Sequence, residues 1–330
     1  GRAVEWWGDR SEHGNVPHQR FQHAAVAVDG QLLLVGGTDG KLFYDDIHVF
    51  DPVTFVWTAF TPSAGNEVRD GGRARHTVVV MHRTLYMFGG ICKHGYAGNK
   101  VHALHLDTGL MPGAHANTFE WREVPLGEHD RGGGAPPSRF DHAATVFQDR
   151  MYVFGGEEKN HKLSNLFYSF DPGTRVWRRE LSAIHPTGVQ PPPPGKQYKM
   201  IASKNHIYIF SHNLSVIHKV SFSTDGRASA WDLISTRGRI PGVKPHLSVP
   251  ELKQYSMTSF ENNEGVHVIV FAGITAAPMC LVNESHMLII PNTSANTDRM
   301  FVLPEWRQLP KRGRTFPCPR VGQTLTYVCY

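Results

Sequence analysis

An internal repeat constrains this chain more than any other feature. Three segments align without a gap through their first halves: Arg20-Phe21-Gln22-His23 to Gly36-Gly37, Arg73-Ala74-Arg75-His76 to Gly89-Gly90, and Arg139-Phe140-Asp141-His142 to Gly155-Gly156. In each, the His lies 13 residues before the first Gly. An apolar run leads into each Gly pair, as LLLVGG, LYMFGG and MYVFGG. Another run follows at IHVFD, VHALHLD and LFYSFD, and a Trp closes each unit at Trp57, Trp121 and Trp177. A fixed period of this kind marks a unit that buries its apolar face only against its neighbours.

Two later units are weaker copies. The first has Tyr198 in the His position, HIYIFSH with Ser211-His212 in place of the Gly pair, and Trp231. The second has VHVIVFAG with Ala272-Gly273, then MLIIP and Trp306. The chain ends in Arg320-Val321-Gly322-Gln323 and TLTYVCY, which reads as the first strand of another unit. Trp6 precedes Arg20 by 14 residues, as Trp306 precedes Arg320, so Trp6 reads as the closing Trp of a unit begun elsewhere.

Each unit holds four short apolar or alternating runs, strands A to D, separated by Gly, Pro and Asp, which is a β pattern. A four-stranded unit repeated five or six times predicts an all-β radial array, the β-propeller. Gly-Gly after strand B permits backbone approaches that a Cβ forbids. The Trp offers a large apolar plate to a neighbouring sheet. Asp51-Pro52 and Asp171-Pro172 start tight turns between strands C and D.

The succession R-x-x-H, apolar strand, G-G, strand ending in D-P-x-T, then W resembles the kelch repeat; DPVTFVW (51–57) and DPGTRVW (171–177) are close to it. The resemblance covers nearly the whole chain and implies a kelch-type propeller. The expected count is six blades, five of them complete: 20–60, 73–124, 139–181, 195–234 and 251–309. The resemblance implies closure by a shared blade, with 1–19 as its outer and 320–330 as its inner strand. Two middle strands are then missing, so the chain reads as a fragment of a longer native chain.

Antiparallel strands put A–B and C–D turns on one face and B–C and D–A loops on the other. The longer segments are mostly of the second kind, such as Ile91–Lys100, Glu157–Asn165 and Ile274–His286 between B and C, and long polar loops on a rigid scaffold are where binding concentrates. Arg20, Arg73, Arg139 and Arg320 fall just before the innermost strand. Resemblance to kelch domains that read acidic peptides implies a cationic ring at the channel mouth, suited to carboxylate or phosphate; the alternative is that each bonds local carbonyls or an adjacent blade. His23, His76 and His142 read as packing residues. A second basic stretch contains Lys311, Arg312 and Arg314, a contact for an acidic protein or an RNA backbone, or else an ordinary solvated loop. Pro191–Pro194 reads as a stiff connector.

Composition narrows the function. Hydrophobic residues at 40% and charged residues at 19% exclude a disordered chain. A net charge of +5 spread along 330 residues is no nucleic-acid footprint by itself. Four scattered Cys with no CxxC exclude a disulfide scaffold and fit a reducing compartment. No run of about 20 apolar residues predicts a membrane span. No P-loop, nucleophile elbow or H-E-x-x-H helix is present. His102 and His105 point to opposite faces of one strand and cannot share a metal. Glu5, Asp9 and His13 have a spacing that resembles the iron motif of plant kelch specifier proteins, which would imply an enzyme or a metal binder at the channel mouth. The expectation is a non-enzymatic, intracellular scaffold without cofactor, binding a protein partner through the B–C and D–A loop face. The alternatives are that channel-mouth enzyme and a structural subunit of an organellar, cytoskeletal or ribonucleoprotein assembly.

Overall fold

The computed structural model describes residues 4–5, 12–68, 71–106, 117–127, 134–180, 188–238, 252–275, 281–291, 303–309 and 311–312. These residues are all-β, with a 3-10 turn at Lys159–His161 and no α-helix among them. They divide into two compact units, one holding the first three repeats with 192–198, the other the fourth and fifth.

In the first unit each repeat is an antiparallel sheet in the order A-B-C-D. The first sheet comprises Ala24–Val28, Gln31–Val35, Ile47–Asp51 and Val56–Pro62. The second comprises Thr77–Met81, Thr84–Phe88, Val101–His105 and Arg122–Glu123. The third comprises Ala143–Phe147, Arg150–Phe154, Phe167–Asp171 and Val176–Arg179. The three A strands are neighbours, as wedges around an axis require. Between the first and second sheets, Leu33, Val35 and Val49 pack with Leu85, Met87 and Trp121. Between the second and third, Val79, Met81 and Phe88 pack with Met151, Phe170 and Trp177. The closing Trp therefore lies against the preceding sheet, with the Trp177 ring 5.1 Å from that of Phe88.

The D-P-x-T turns form as their composition dictates. Asp51 Oδ1 accepts from the amide of Val53 at 2.8 Å, and Phe55, at φ 62°, donates its amide to the Asp51 carbonyl. Asp171 repeats this with Gly173 and Arg175, the latter at φ 59°. Here the side chain satisfies the turn's donors, an Asx arrangement.

In the second unit the fourth sheet comprises Lys199–Ala202, His206–Phe210, Val216–Phe222 and Ala228–Ser235. The fifth comprises Ser256–Asn262, Gly265–Thr275, Leu281–Pro291 and Glu305–Gln308. Between them lie Phe210, Leu214 and Ile217, packed with Leu252, Val268 and Trp306. The segment expected as a long loop at 274–286 is mostly strand, because B and C of this sheet run 11 residues each. Of the two segments expected to form the shared closing blade, 320–330 lies outside the described residues; within 1–19, Val4–Glu5 pairs in parallel with Lys311–Arg312, and His13–Gly14 pairs in parallel with Val56–Trp57 of the first sheet.

Candidate loop-face binding site

The motif residues assemble where strand B ends and the next sheet begins. The Gly pairs adopt left-handed backbone: φ 61° and 102° at Gly36-Gly37, 64° and 97° at Gly89-Gly90, 69° and 93° at Gly155-Gly156. The first Gly faces the next repeat. A Cβ on Gly36 would lie 3.2 Å from the His76 ring, one on Gly89 2.7 Å from the His142 ring, and one on Gly155 3.0 Å from the Tyr198 ring. The second Gly faces its own repeat, with the His23, His76 and His142 Cβ atoms 2.8–2.9 Å from that position. The invariant spacing of 13 residues thus brings one His between two Gly pairs. The His142 ring is further held by Thr77 Oγ1 at 2.7 Å and lies edge-on to Phe88. Burial, with Arg139 beside it, lowers His142 to about 3; burial and Arg20 lower His23 to about 4; burial and Arg73 push His76 well below its ordinary value. All three are neutral at physiological pH.

The preceding Arg is tied to the same glycines. Each donates Nη1 to the carbonyl of the Gly 16 residues on: Arg20 to Gly36 at 3.1 Å, Arg73 to Gly89 at 3.3 Å and Arg139 to Gly155 at 2.8 Å. Arg20 also forms a two-point ion pair with Asp46 and lies over the Tyr44 ring. Arg139 is 0% exposed and reaches Glu158 at 2.9 Å and Ser164 at 3.3 Å. Among the three, every guanidinium thus has a role inside the repeat.

Backbone bonds link the repeats at this level. The amides of Gly37, Gly90 and Gly156 donate to the carbonyls of Arg73, Arg139 and Gly195. A second row runs through the residue before each His: Arg75 N–H donates to the Gln22 carbonyl, Asp141 to Arg75, and Gln197 to Asp141. Gln22, Arg75, Asp141 and Gln197 all have φ between 53° and 62°. That conformation costs a non-Gly residue free energy, and it recurs because it aims the amide at the previous repeat.

Two B–C segments fold back over this row as hairpins. Arg73–Ala74 pairs with Ile91–Cys92, which pairs with Gly95–Tyr96. Arg139–Phe140 pairs with Glu157–Glu158, which pairs with Lys162–Leu163. The first repeat has single bridges in the same places, Phe21↔Thr38 and Thr38↔Phe43. The hairpins touch: the Tyr96 and Phe140 rings are 5.4 Å apart, and Tyr96 OH donates to the Glu158 carbonyl at 2.7 Å. Arg75 lies 5.2 Å from the centre of the Phe140 ring and Lys196 5.9 Å from it. Arg75 also pairs with Asp141 at 3.4 Å. Glu157 is bonded by Lys196 and, at 2.7 Å, by His161; Lys196 and then His161 hold its carboxyl below the usual range against the opposing effect of burial.

Sequence reasoning overlooked Arg75, Phe140, Lys196 and His161. They occupy variable positions of the repeat, so periodicity carried no signal for them; only the aromatic and charged character of R-x-x-H's middle residues hinted at a role. Of the second basic group, Lys311 and Arg312 form a short strand and Arg314 and Arg320 lie outside the described residues. His102 is buried while His105 is exposed and contacts Thr84, as alternation requires. His13 is exposed and paired through its backbone to Val56, whereas Asp9 lies outside the described residues. Among the described residues no three His, Cys, Asp or Glu side chains converge on a metal-sized site. No described helix is long and apolar enough to cross a membrane.

The sequence matches the family model described as the KLHDC2/KLHL20/DRC7 Kelch-repeats domain over residues 4–90 and 64–250. It is 26% identical to rat Kelch domain-containing protein 3 over 326 residues, covering 94% of this chain and 75% of that one. It is 24% identical to human Host cell factor 2 over 256 residues, 72% of this chain and 30% of the relative. Rat Kelch domain-containing protein 10 matches at 27% over 151 residues, 46% of this chain and 34% of the relative's length.

Proposed function

Because the chain belongs to the kelch-repeat family, we propose that it is a non-enzymatic interaction scaffold that holds a protein partner on its B–C and D–A loop face, within a larger complex. The observation that supports this most is the pair of hairpins at 91–96 and 157–163, braced from below by Arg73 and Arg139 and by the row of inter-repeat amides. A loop that is itself hydrogen-bonded loses little entropy when a partner docks on it. The opposite face offers only tight turns in the first three repeats, apart from the segment between C and D of the second.

In this reading Arg20, Arg73 and Arg139 serve the partner by holding the loops. To meet a partner carboxylate directly, each would have to leave a glycine carbonyl, and Arg20 and Arg139 an aspartate or glutamate as well. The basic residues Lys311, Arg312, Arg314 and Arg320 supply a further contact for the partner. A photo-crosslinking residue at Leu163, which is 41% exposed on a hairpin, should capture the partner. The same residue at Val53, 70% exposed in a C–D turn, should not. Capture from Val53 alone would overturn the proposal.

A further inference from the structure

Charge is sorted in the hairpins of the second and third repeats. The segment Glu157–Leu163 contains two acids and three bases, and they do not share the surface. Glu157 and Glu158 are 5% and 7% exposed and turned onto Lys196, His161 and Arg139, while Lys159, His161 and Lys162 are exposed. The neighbouring hairpin, Ile91–Tyr96, holds no acid and exposes Lys93 and His94. The contacts of Tyr96 with Phe140 and Glu158 make the two hairpins one continuous surface. The equivalent segment of the first repeat has the opposite sign: Asp39 and Asp45 are exposed beside a single Lys41.

We propose that the partner presents an acidic protein segment to the paired hairpins, with Lys93, Lys159 and Lys162 as its main contacts and the first repeat's aspartates setting its position by repulsion. This rests on the loop-face reading above and adds the partner's chemistry and the repeats it touches. Two rigid features favour it. Glu157 is held at both oxygens, so the hairpin cannot neutralise its own lysines with it. Asn160 and His161, both left-handed at φ 64° and 58°, turn the chain sharply between Lys159 and Lys162. Like-charge contacts at the rim act on partner choice and on the association rate more than on the lifetime of the complex.

The test is fluorescence anisotropy with a short fluorescein-labelled polyglutamate peptide, against polyglutamine and a single-stranded RNA oligonucleotide, at low and physiological salt. The native chain should bind polyglutamate with marked salt dependence and bind polyglutamine and RNA more weakly. K93E/K159E/K162E should weaken binding by roughly tenfold or more and flatten the salt slope, while D45K should strengthen it. Melting curves check that each variant is folded. Equal binding by the native chain and the triple variant overturns the inference, as does tighter binding of RNA. Crosslinks from Leu163 that persist undiminished in the triple variant would leave the loop-face reading standing and remove this one; crosslinks from Val53 alone would remove the reading beneath it.

Discussion

The first three repeats and the last two solve one packing problem with different residues. In the first three, a His packs on Gly pairs that are left-handed at every position, His76 and His142 each lying between two such pairs. In the fourth, Ser211 and His212 replace the pair and neither is left-handed, so no glycine is needed there. The ring facing this segment is Tyr255, whose hydroxyl donates to the Ser211 carbonyl at 2.9 Å. Tyr198, the ring that faces Gly155, likewise donates to the Pro193 carbonyl at 2.6 Å. The Arg position has changed too, to Gly195 and Leu252; Leu252 is 1% exposed within the apolar core. Yet Gly195 keeps the backbone bond that Arg73 and Arg139 make, accepting from Gly156 at 2.8 Å. The backbone bond thus persists at Gly195 although the side chain has changed, whereas at the next boundary Leu252 donates its amide to the His212 carbonyl.

The sharpest way to break this comparison is to add side chains to both kinds of pair. Gly89→Val places a branched residue at φ 64°, 2.5 Å from the Arg139 carbonyl and 2.7 Å from the His142 ring. Left-handed strain, overpacking and loss of the neighbouring contacts should together exceed about 4 kcal/mol. Ser211→Gly, the reverse change in the fourth repeat, should cost about 1–2 kcal/mol, from backbone entropy and the loss of its hydroxyl bonds to Asn213. Urea unfolding of both variants decides it; similar losses would mean that the pairs do not differ as described.

Arg139→Ala comes next. It leaves Glu158 buried without its guanidinium and should cost about 3 kcal/mol. Adding Glu158→Gln should recover part of that loss, since the stranded charge is removed. Without recovery, the cost would belong to the Gly155 carbonyl rather than to the ion pair, and Arg139 would resemble Arg73 more closely than Arg20.

The repeat, the all-β class, the strand register near each Gly pair and the place of the Trp plates were legible because each depends on a residue type that only one environment favours. Gly marks left-handed backbone, and Trp marks a large apolar contact. The row Gln22, Arg75, Asp141, Gln197 was not legible: all four are left-handed, but no glycine announces it. The hairpins were hidden for a different reason. Ile91–Tyr96 and Glu157–Leu163 pair with strands of only two residues, too short for any alternation to be seen. The basic stretch near the C-terminus was visible as charge, whereas the sorting of Glu157 and Glu158 inward needed their partners' positions.

Acid should separate the two kinds of ring. His23, His76 and His142 have folded-state values below their unfolded value, so between about 6.5 and about 4 the unfolded chain takes up protons that the folded chain refuses. Stability is therefore full above pH 6.5 and falls as pH falls, by about 1.4 kcal/mol per unit for each such His. At pH 5 that is about 2 kcal/mol for a single ring. Tyr198, raised to about 12 by burial, stays neutral throughout this range. His142→Tyr should flatten the acid limb of a stability–pH curve measured in urea; an unchanged slope would place the titration elsewhere.

The smallest expected effect tests the compensation itself. Tyr255→Phe keeps the ring, which is 1% exposed, and removes only the hydroxyl that reaches the Ser211 carbonyl. A net hydrogen bond of this kind contributes about 1 kcal/mol. If Tyr and Ser form a matched replacement for His and Gly, restoring glycine at 211 should not rescue the Phe variant, because a glycine carbonyl needs the same donor. The double variant Ser211→Gly, Tyr255→Phe should then lose the sum of the two single changes, to within a few tenths of a kcal/mol. A double variant more stable than Tyr255→Phe alone would mean that glycine at this position relaxes toward the left-handed form of the first three repeats, and that the two solutions are alternatives available to every repeat rather than fixed features of each.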